Sequence, residues 1–158
     1  MIDKPHTACF TGHRDIPQKD ISIITDRTKA VIESLIQKGV IYYGNGAARG
    51  YDLLTAKLLL DMKKQYSQIR LILILPCRSQ TDKWTDKADI ALYNYVLDKA
   101  DKKKWLSEKH YKGCELVRNR YMVDFCGYCI AYLTRNIGGT AYTVNYAKKN
   151  RLNIINVM

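Results

Sequence analysis

Three short apolar runs in this chain each end in a cluster of glycines and isolated polar residues, and a helical pattern follows each cluster. Cys9-Phe10 leads into Thr11-Gly12-His13-Arg14. Val40-Ile41-Tyr42-Tyr43 leads into Gly44-Asn45-Gly46-Ala47-Ala48-Arg49-Gly50-Tyr51-Asp52. Ile130-Ala131-Tyr132-Leu133 leads, within a few residues, into Gly138-Gly139-Thr140. A strand, a glycine turn and a helix aim main-chain N–H groups and the positive end of a helix at an anion. The repeat restricts the chain to folds that alternate strands with helices, and it predicts a phosphorylated small molecule as ligand.

The rest of the sequence continues the alternation. Strands are predicted at 7–10, 40–43, 69–75, 103–106, 128–133 and 152–157, and helices at 20–38, 51–66, 88–100, 112–125 and 141–150. The helices rest on apolar residues at three- and four-residue steps, such as Ile21, Ile24, Val31, Ile32, Leu35 and Ile36. The run 69–75 is apolar at nearly every position, the mark of a strand buried on both faces in a parallel sheet. The expected fold is therefore α/β, a Rossmann-like three-layer sandwich with a mostly parallel central sheet, in one domain over 1–158. In such a sheet ligands bind beyond the carboxyl ends of the strands. The three glycine clusters, Pro76-Cys77-Arg78-Ser79-Gln80 after the third strand and Ser107-Glu108 after the fourth all fall on that rim, and five loops are expected to converge there.

Composition narrows the class further. No apolar stretch approaches the length of a membrane span, and Met1-Ile2-Asp3-Lys4-Pro5 is no signal peptide, so a cytoplasmic protein is expected. Five cysteines without framework spacing fit reduced thiols. Cys126-Gly127-Tyr128-Cys129 has redox or zinc spacing, but it ends a helix and enters a strand, and no second pair completes a zinc site; two buried thiols are the favoured reading, with no metal and no required cofactor. The formal charge of +11 suits an anionic partner. The lysines are nevertheless scattered over helix faces, with clusters at Lys102-Lys103-Lys104 and Lys148-Lys149, and solvated faces are favoured over nucleic-acid contact.

Several side chains on the rim have chemistry to offer. Arg14 suits a bidentate phosphate clamp; His13 is a hydrogen-bond donor, a general acid or a structural histidine. Gly44 and Gly46 would admit a phosphate close to the backbone, with Arg49 in the same loop and Asp52 accepting from a ribose hydroxyl; the alternative is a tight turn with Asp52 as a helix cap. Gly138, Gly139 and Thr140 form a phosphate cradle or an N-capped surface turn. Arg118 and Asn119 reach a phosphate or base, or stay exposed on their helix. Trp84 and Tyr111 are base-stacking platforms or, the favoured reading, packing or lid residues.

Taken together, Thr11-Gly12-His13-Arg14, Gly44-x-Gly46-Ala47-x-x-Gly50-x-Asp52, Pro76-Cys77-x-x-Gln80-x-x-x-Trp84, Arg118-Asn119-x-x-Met122-Val123-Asp124 and Gly138-Gly139-Thr140 resemble the YpsA-type branch of the SLOG superfamily. That superfamily includes the single-strand DNA-processing protein DprA and the phosphoribohydrolase LOG. The resemblance spans nearly the whole chain. It implies a Rossmann-like fold and a nucleotide or ADP-ribose-like ligand. That ligand would be held by Thr11, Gly12, His13, Arg14, Gly44, Gly46, Ala47, Arg49, Gly50, Asp52, Pro76, Arg78, Arg118, Asn119, Gly138, Gly139 and Thr140. It also implies a homo-oligomer, as in most relatives. One stretch departs: where LOG enzymes carry Pro-Gly-Gly-x-Gly-Thr-x-x-Glu, the proline is Ile137, the middle is shortened to Gly138-Gly139-Thr140 and the catalytic glutamate is Thr143, which cannot replace a carboxylate that moves a proton or stabilises an oxocarbenium-like centre. Asp52 or Asp124 would have to supply one. The leading expectation is thus a nucleotide-binding or sensing protein with no assigned catalytic residue. The alternatives are a nucleoside-monophosphate N-glycosidase and a DprA-like single-stranded DNA partner.

Overall fold

The computed structural model describes residues 3–158; Met1 and Ile2, part of the opening segment read above as no signal peptide, lie outside them. Six strands alternate with five α-helices. The strands are β1 (Thr7–Gly12), β2 (Tyr42–Asn45), β3 (Arg70–Leu75), β4 (Lys102–Trp105), β5 (Tyr128–Tyr132) and β6 (Asn153–Asn156). The helices are α1 (Ile21–Gln37), α2 (Tyr51–Met62), α3 (Lys87–Lys99), α4 (Cys114–Asp124) and α5 (Gly139–Lys149). Every strand pair is parallel, and the sheet order is β4-β3-β2-β1-β5-β6.

Strand alternation sends side chains to two separate cores. Phe10, Tyr43, Leu71, Leu73 and Leu75 pack with Ile24, Ile32 and Leu35 of α1, Leu53 and Leu59 of α2, and Tyr93 and Val96 of α3. Cys9, Ile74 and Cys129 face the other way, against Met122 and Val123 of α4 and Ala147 of α5. Helices thus cover both faces of the sheet, as expected for a three-layer sandwich. The five cysteines are buried and unpaired, and the 126–129 pair sits between α4 and β5. No helix among the described residues is long and apolar enough to cross a membrane.

The order of the strands creates the crevice. From β1 the chain steps outward through β2 and β3 to the edge strand β4. The connection through α4 then returns to the far side of β1, where β5 and β6 complete the sheet. The connections leaving β1 and β5 diverge, and their ends open a gap at the carboxyl edge.

Two boundaries differ from the sequence pattern in a way that matters for the site. The second strand begins two residues later than expected and takes in Gly44 and Asn45; Gly44 pairs with Cys9 on one side and Ile72 on the other. Met122 fills the space above it, with its Cγ 3.1 Å from where a Cβ would stand. The last helix begins at Gly139, two residues early, so the glycine pair supplies its cap position and first residue.

Candidate functional site

A cavity of about 360 Å³ occupies the crevice between the ends of β1 and β5. Its walls come from Phe10 to Asp15 at the end of β1, from Ala48 and Asp52 before and within α2, and from Glu115, Leu116, Arg118 and Asn119 on α4. The fourth wall is Arg135, Ile137, Gly138, Gly139 and Thr140 between β5 and α5. Ten of the seventeen residues expected at the site meet here: Thr11, Gly12, His13, Arg14, Asp52, Arg118, Asn119, Gly138, Gly139 and Thr140.

Arg118 is the best-held cation of the cavity. It is 3% exposed. Its Nη1 donates to the carbonyl of Gly46 at 2.6 Å and of Ile74 at 3.3 Å, and its Nε donates to Oδ1 of Asn119 at 2.7 Å. Asn119 in turn donates from Nδ2 to Oγ1 of Thr143 at 2.9 Å, and Thr143 donates to the carbonyl of Gly139 at 2.8 Å. One chain of hydrogen bonds therefore ties the loop after β2 to the first turn of α5. Nη2 of Arg118 has no partner among these bonds. Burial lowers the pKa of Arg118, while Asp52 and Glu115 pull it back up.

The loop after β2 is organised by its own polar side chains. Asn45 is fully buried; its Oδ1 accepts from the N–H of Ala47, and its Nδ2 donates to the carbonyl of Asp52 and to Oγ1 of Thr55. Ala47 is held at φ +54, a strained setting for a residue with a Cβ. Gly50 lies at φ +79, and a Cβ there would stand 2.2 Å from the carbonyl oxygen of Arg14. Only glycine lets these two loops cross. The crossing also closes the start of α2, where the N–H of Tyr51 donates to the carbonyl of His13 at 3.2 Å.

Asp52 sits behind that crossing, 7% exposed, and accepts from the N–H of Ala48 at 3.2 Å. Desolvation pushes its pKa up to about 6, against the pull of Arg118, the Ala48 N–H and Arg14. His13 is also buried. Its Nε2 accepts from the N–H of Thr134 at 2.9 Å, which fixes the neutral tautomer with the proton on Nδ1. Burial and then Arg135 lower its pKa, with Asp15 opposing. His13 thus locks the loop after β5 to the loop after β1.

The start of α5 is arranged differently from that of α2. Gly138, at φ +92, occupies the cap position and no side chain caps the helix. Gly138, Gly139 and Thr140 line the cavity, so the free N–H groups of an eleven-residue helix border the same space as Arg14, Arg118 and Arg135. An anion placed there would meet helix N–H groups and guanidinium donors together.

Seven expected residues do not line the cavity: Gly44, Gly46, Ala47, Arg49, Gly50, Pro76 and Arg78. Gly44 lies inside β2. Gly46 serves Arg118, whose Nη1 would be 2.4 Å from an added Cβ, and its carbonyl also accepts from Gln80 Nε2 at 3.0 Å. Ala47 and Gly50 shape the turn. Arg78 leans away, over the ring of Trp105 at 4.1 Å and onto Glu108 at 3.0 Å. The loops after β3 and β4 therefore do not join the convergence expected of all five. Trp84 packs edge-on against Tyr93, and the exposed Tyr111 is outside the cavity walls. Asp124, considered above as a substitute carboxylate, is the last residue of α4 and accepts from the Tyr146 hydroxyl.

Sequence reasoning did not place Phe10, Asp15, Ala48, Glu115, Leu116, Arg135 or Ile137 at the site. Arg135 had a signal: it falls between an apolar run and a glycine pair, the position of every other rim cluster. Glu115 had none, because α4 reaches the cavity by a long crossover. Next to it, His110, Cys114 and Glu115 hold an imidazole nitrogen, a thiol and a carboxylate oxygen all within 4.8 Å of one another.

Comparison with known proteins bears on the family and the fold. The YpsA family model, described as the YspA SLOG family, matches residues 9–156. A UPF0398 protein of Halalkalibacterium halodurans is 25% identical over 151 residues, covering 94% of this chain and 78% of its own length. The SPbeta prophage-derived protein YoqJ of Bacillus subtilis, uncharacterized, is 31% identical over 143 residues, covering 82% of each. A UPF0398 protein of Staphylococcus epidermidis matches 63% of this chain over only 53% of its own length. Two solved structures of DNA processing protein A share the fold. The Helicobacter pylori protein, described for its single-stranded DNA binding mode, has a TM-score of 0.67 and 16% identity. It covers 96% of this chain and 64% of its own. The Streptococcus pneumoniae protein has a TM-score of 0.65 and 17% identity, covering 96% and 49%. The chain thus spans about half to two thirds of those DNA-processing proteins. With the family model matched from the first strand to the last, this chain belongs to the YpsA family of the SLOG superfamily.

Proposed function

We propose that this chain binds a nucleotide or nucleotide-derived phosphoester in the switch-point cavity, with the phosphate at the start of α5. The observation that carries this reading is the meeting, around one cavity, of an uncapped helix N-terminus with the buried Arg118, whose Nη2 has no hydrogen-bond partner among the described residues. Arg14 and Arg135 add charge on the cavity wall, and Asp52 is a candidate acceptor for a sugar hydroxyl. The phosphorylated ligand classes are AMP-like monophosphates and ADP-ribose-like diphosphates.

The test is thermal unfolding of the chain against a panel of AMP, GMP, CMP, UMP and ADP-ribose, with adenosine and ribose as uncharged controls. A saturable rise in Tm with one phosphorylated class, absent with the controls, is expected, since binding to the native state alone raises stability. No rise across the panel would overturn it. Chromatography of the same mixtures separates binding from hydrolysis. Free base that disappears in Asp52→Ala would make the protein an N-glycosidase working through Asp52, the one cavity carboxylate pushed toward neutral pH.

A second reading, single-stranded nucleic acid, rests on a different surface. The α4 side of the sheet is open over β2, β3 and β4, leaving a groove of about 760 Å³. Lys102, Lys103 and Lys104 line it, with Tyr42, Tyr121 and Phe125 beside them. The Lys104 ammonium lies 5.1 Å from the centre of the Tyr121 ring. Charge with exposed rings suits a single strand. Binding should weaken steeply with salt, and Lys102→Ala with Lys104→Ala should flatten the slope by about 1.4, two phosphate contacts at about 0.7 each.

A further inference from the structure

We infer that His110, Cys114 and Glu115 form a site for a single zinc-class divalent cation at the start of α4, beside the cavity that Glu115 also lines. The three donor atoms, an imidazole nitrogen, a thiol sulfur and a carboxylate oxygen, lie within 4.8 Å of one another. They come from the loop after β4 and from the first two positions of α4. Nε2 of His110 is 3.1 Å from Oε1 of Glu115. One hydrogen bond, from the imidazole to the carboxylate, already joins two of the three donors. A cation at its centre would bond to all three atoms, and ligand atoms around a tetrahedral zinc stand roughly 3.3–3.8 Å apart, at bond lengths of about 2.0–2.3 Å. The imidazole and carboxylate are already at about that spacing, and the remaining distances, at most 4.8 Å, would close by roughly 1 Å.

The donor set selects the cation. A thiolate with an imidazole suits zinc and disfavours magnesium and calcium, which take oxygen ligands. Binding releases the Cys114 thiol proton to solvent and shifts the His110 proton to Nδ1, leaving Nε2 to coordinate. One thiolate and one carboxylate cancel the two charges of the cation, so the buried end of the site stays neutral. Cys114 is buried and Glu115 half-buried, whereas His110 is exposed. The cation would therefore enter from the His110 side. Three protein ligands leave a fourth position, and Glu115 also lines the cavity. That fourth position would take a water. Cation binding itself does not depend on the nucleotide reading.

The experiment titrates Co²⁺ and then Zn²⁺ into reduced, chelator-treated full chain. One equivalent of Co²⁺ should bind with a thiolate charge-transfer band in the near ultraviolet, and Zn²⁺ should displace it. Cys114→Ser should abolish the band and His110→Ala should weaken affinity at least tenfold; His110 is exposed, so that variant tests the site without touching the core. Cys126→Ser, in the separate buried thiol group, should leave the titration unchanged. No saturable band, or a band lost with Cys126→Ser and kept in Cys114→Ser, would overturn the assignment. Thermal shifts with nucleotide in the absence of metal report on the cavity reading separately.

Discussion

Asp52 shows how much a single buried carboxylate shapes this molecule. Its folded pKa of about 6 lies above the ordinary 3.8, so the native state binds a proton more tightly than the unfolded chain. Stability contributed by the protonated form is present below about pH 4 and is lost as pH rises through 6. Near neutral pH the ionised group costs roughly 3 kcal/mol, at 1.36 kcal/mol per unit. Asp52→Asn keeps an acceptor for the Ala48 N–H and removes the charge. It should therefore raise stability by about 1–3 kcal/mol at pH 7.5 and leave it unchanged at pH 4, as read by urea unfolding at the two pH values. Retaining a destabilising carboxylate in the cavity is what a ligand contact would require. Glycine roles are also separable at this scale. Gly46→Ala must displace the buried Arg118 guanidinium and should cost about 2–3 kcal/mol, whereas Gly44→Ala presses only on the flexible Met122 and should cost under about 1 kcal/mol.

At the scale of elements, the site depends on α4 and α5 being held in register by side chains. Thr143, which the sequence resemblance aligns with the LOG glutamate, is a buried link between Asn119 and the Gly139 carbonyl. Thr143→Val keeps the shape and removes both bonds. It should cost about 1–3 kcal/mol in urea unfolding, with Thr143→Ser restoring most of it. The elements themselves were legible from periodicity, because alternating strands and helices leave apolar spacing that does not depend on partners. The chemistry of the glycine loop was not. In the sequence Gly46 looks like a phosphate contact; its reason is an arginine seventy-two residues away, and no local pattern records that pairing. The reverse holds for Gly138 and Gly139, whose place at a helix start follows from local sequence and whose cavity-lining position follows from the fold.

For the whole molecule, topology does the assembling. The strand order β4-β3-β2-β1-β5-β6 sends the connections after β1 and β5 apart, and α4 returns across the sheet to roof the gap. Residues from four distant stretches meet there, while the loops after β3 and β4, on the far side of the sheet, do not. The same topology leaves one half of a sheet face open beside three lysines, which is where salt-dependent association would be sought. The two surfaces are distinguishable in one experiment. In amide NMR spectra titrated with ADP-ribose or AMP, the N–H signals of Gly138, Gly139 and Thr140 should move together and saturably, with the Arg118 side-chain N–H among them. Saturable shifts confined to Lys102–Lys104 and Tyr121, with the start of α5 unmoved, would contradict a phosphate site at the switch point.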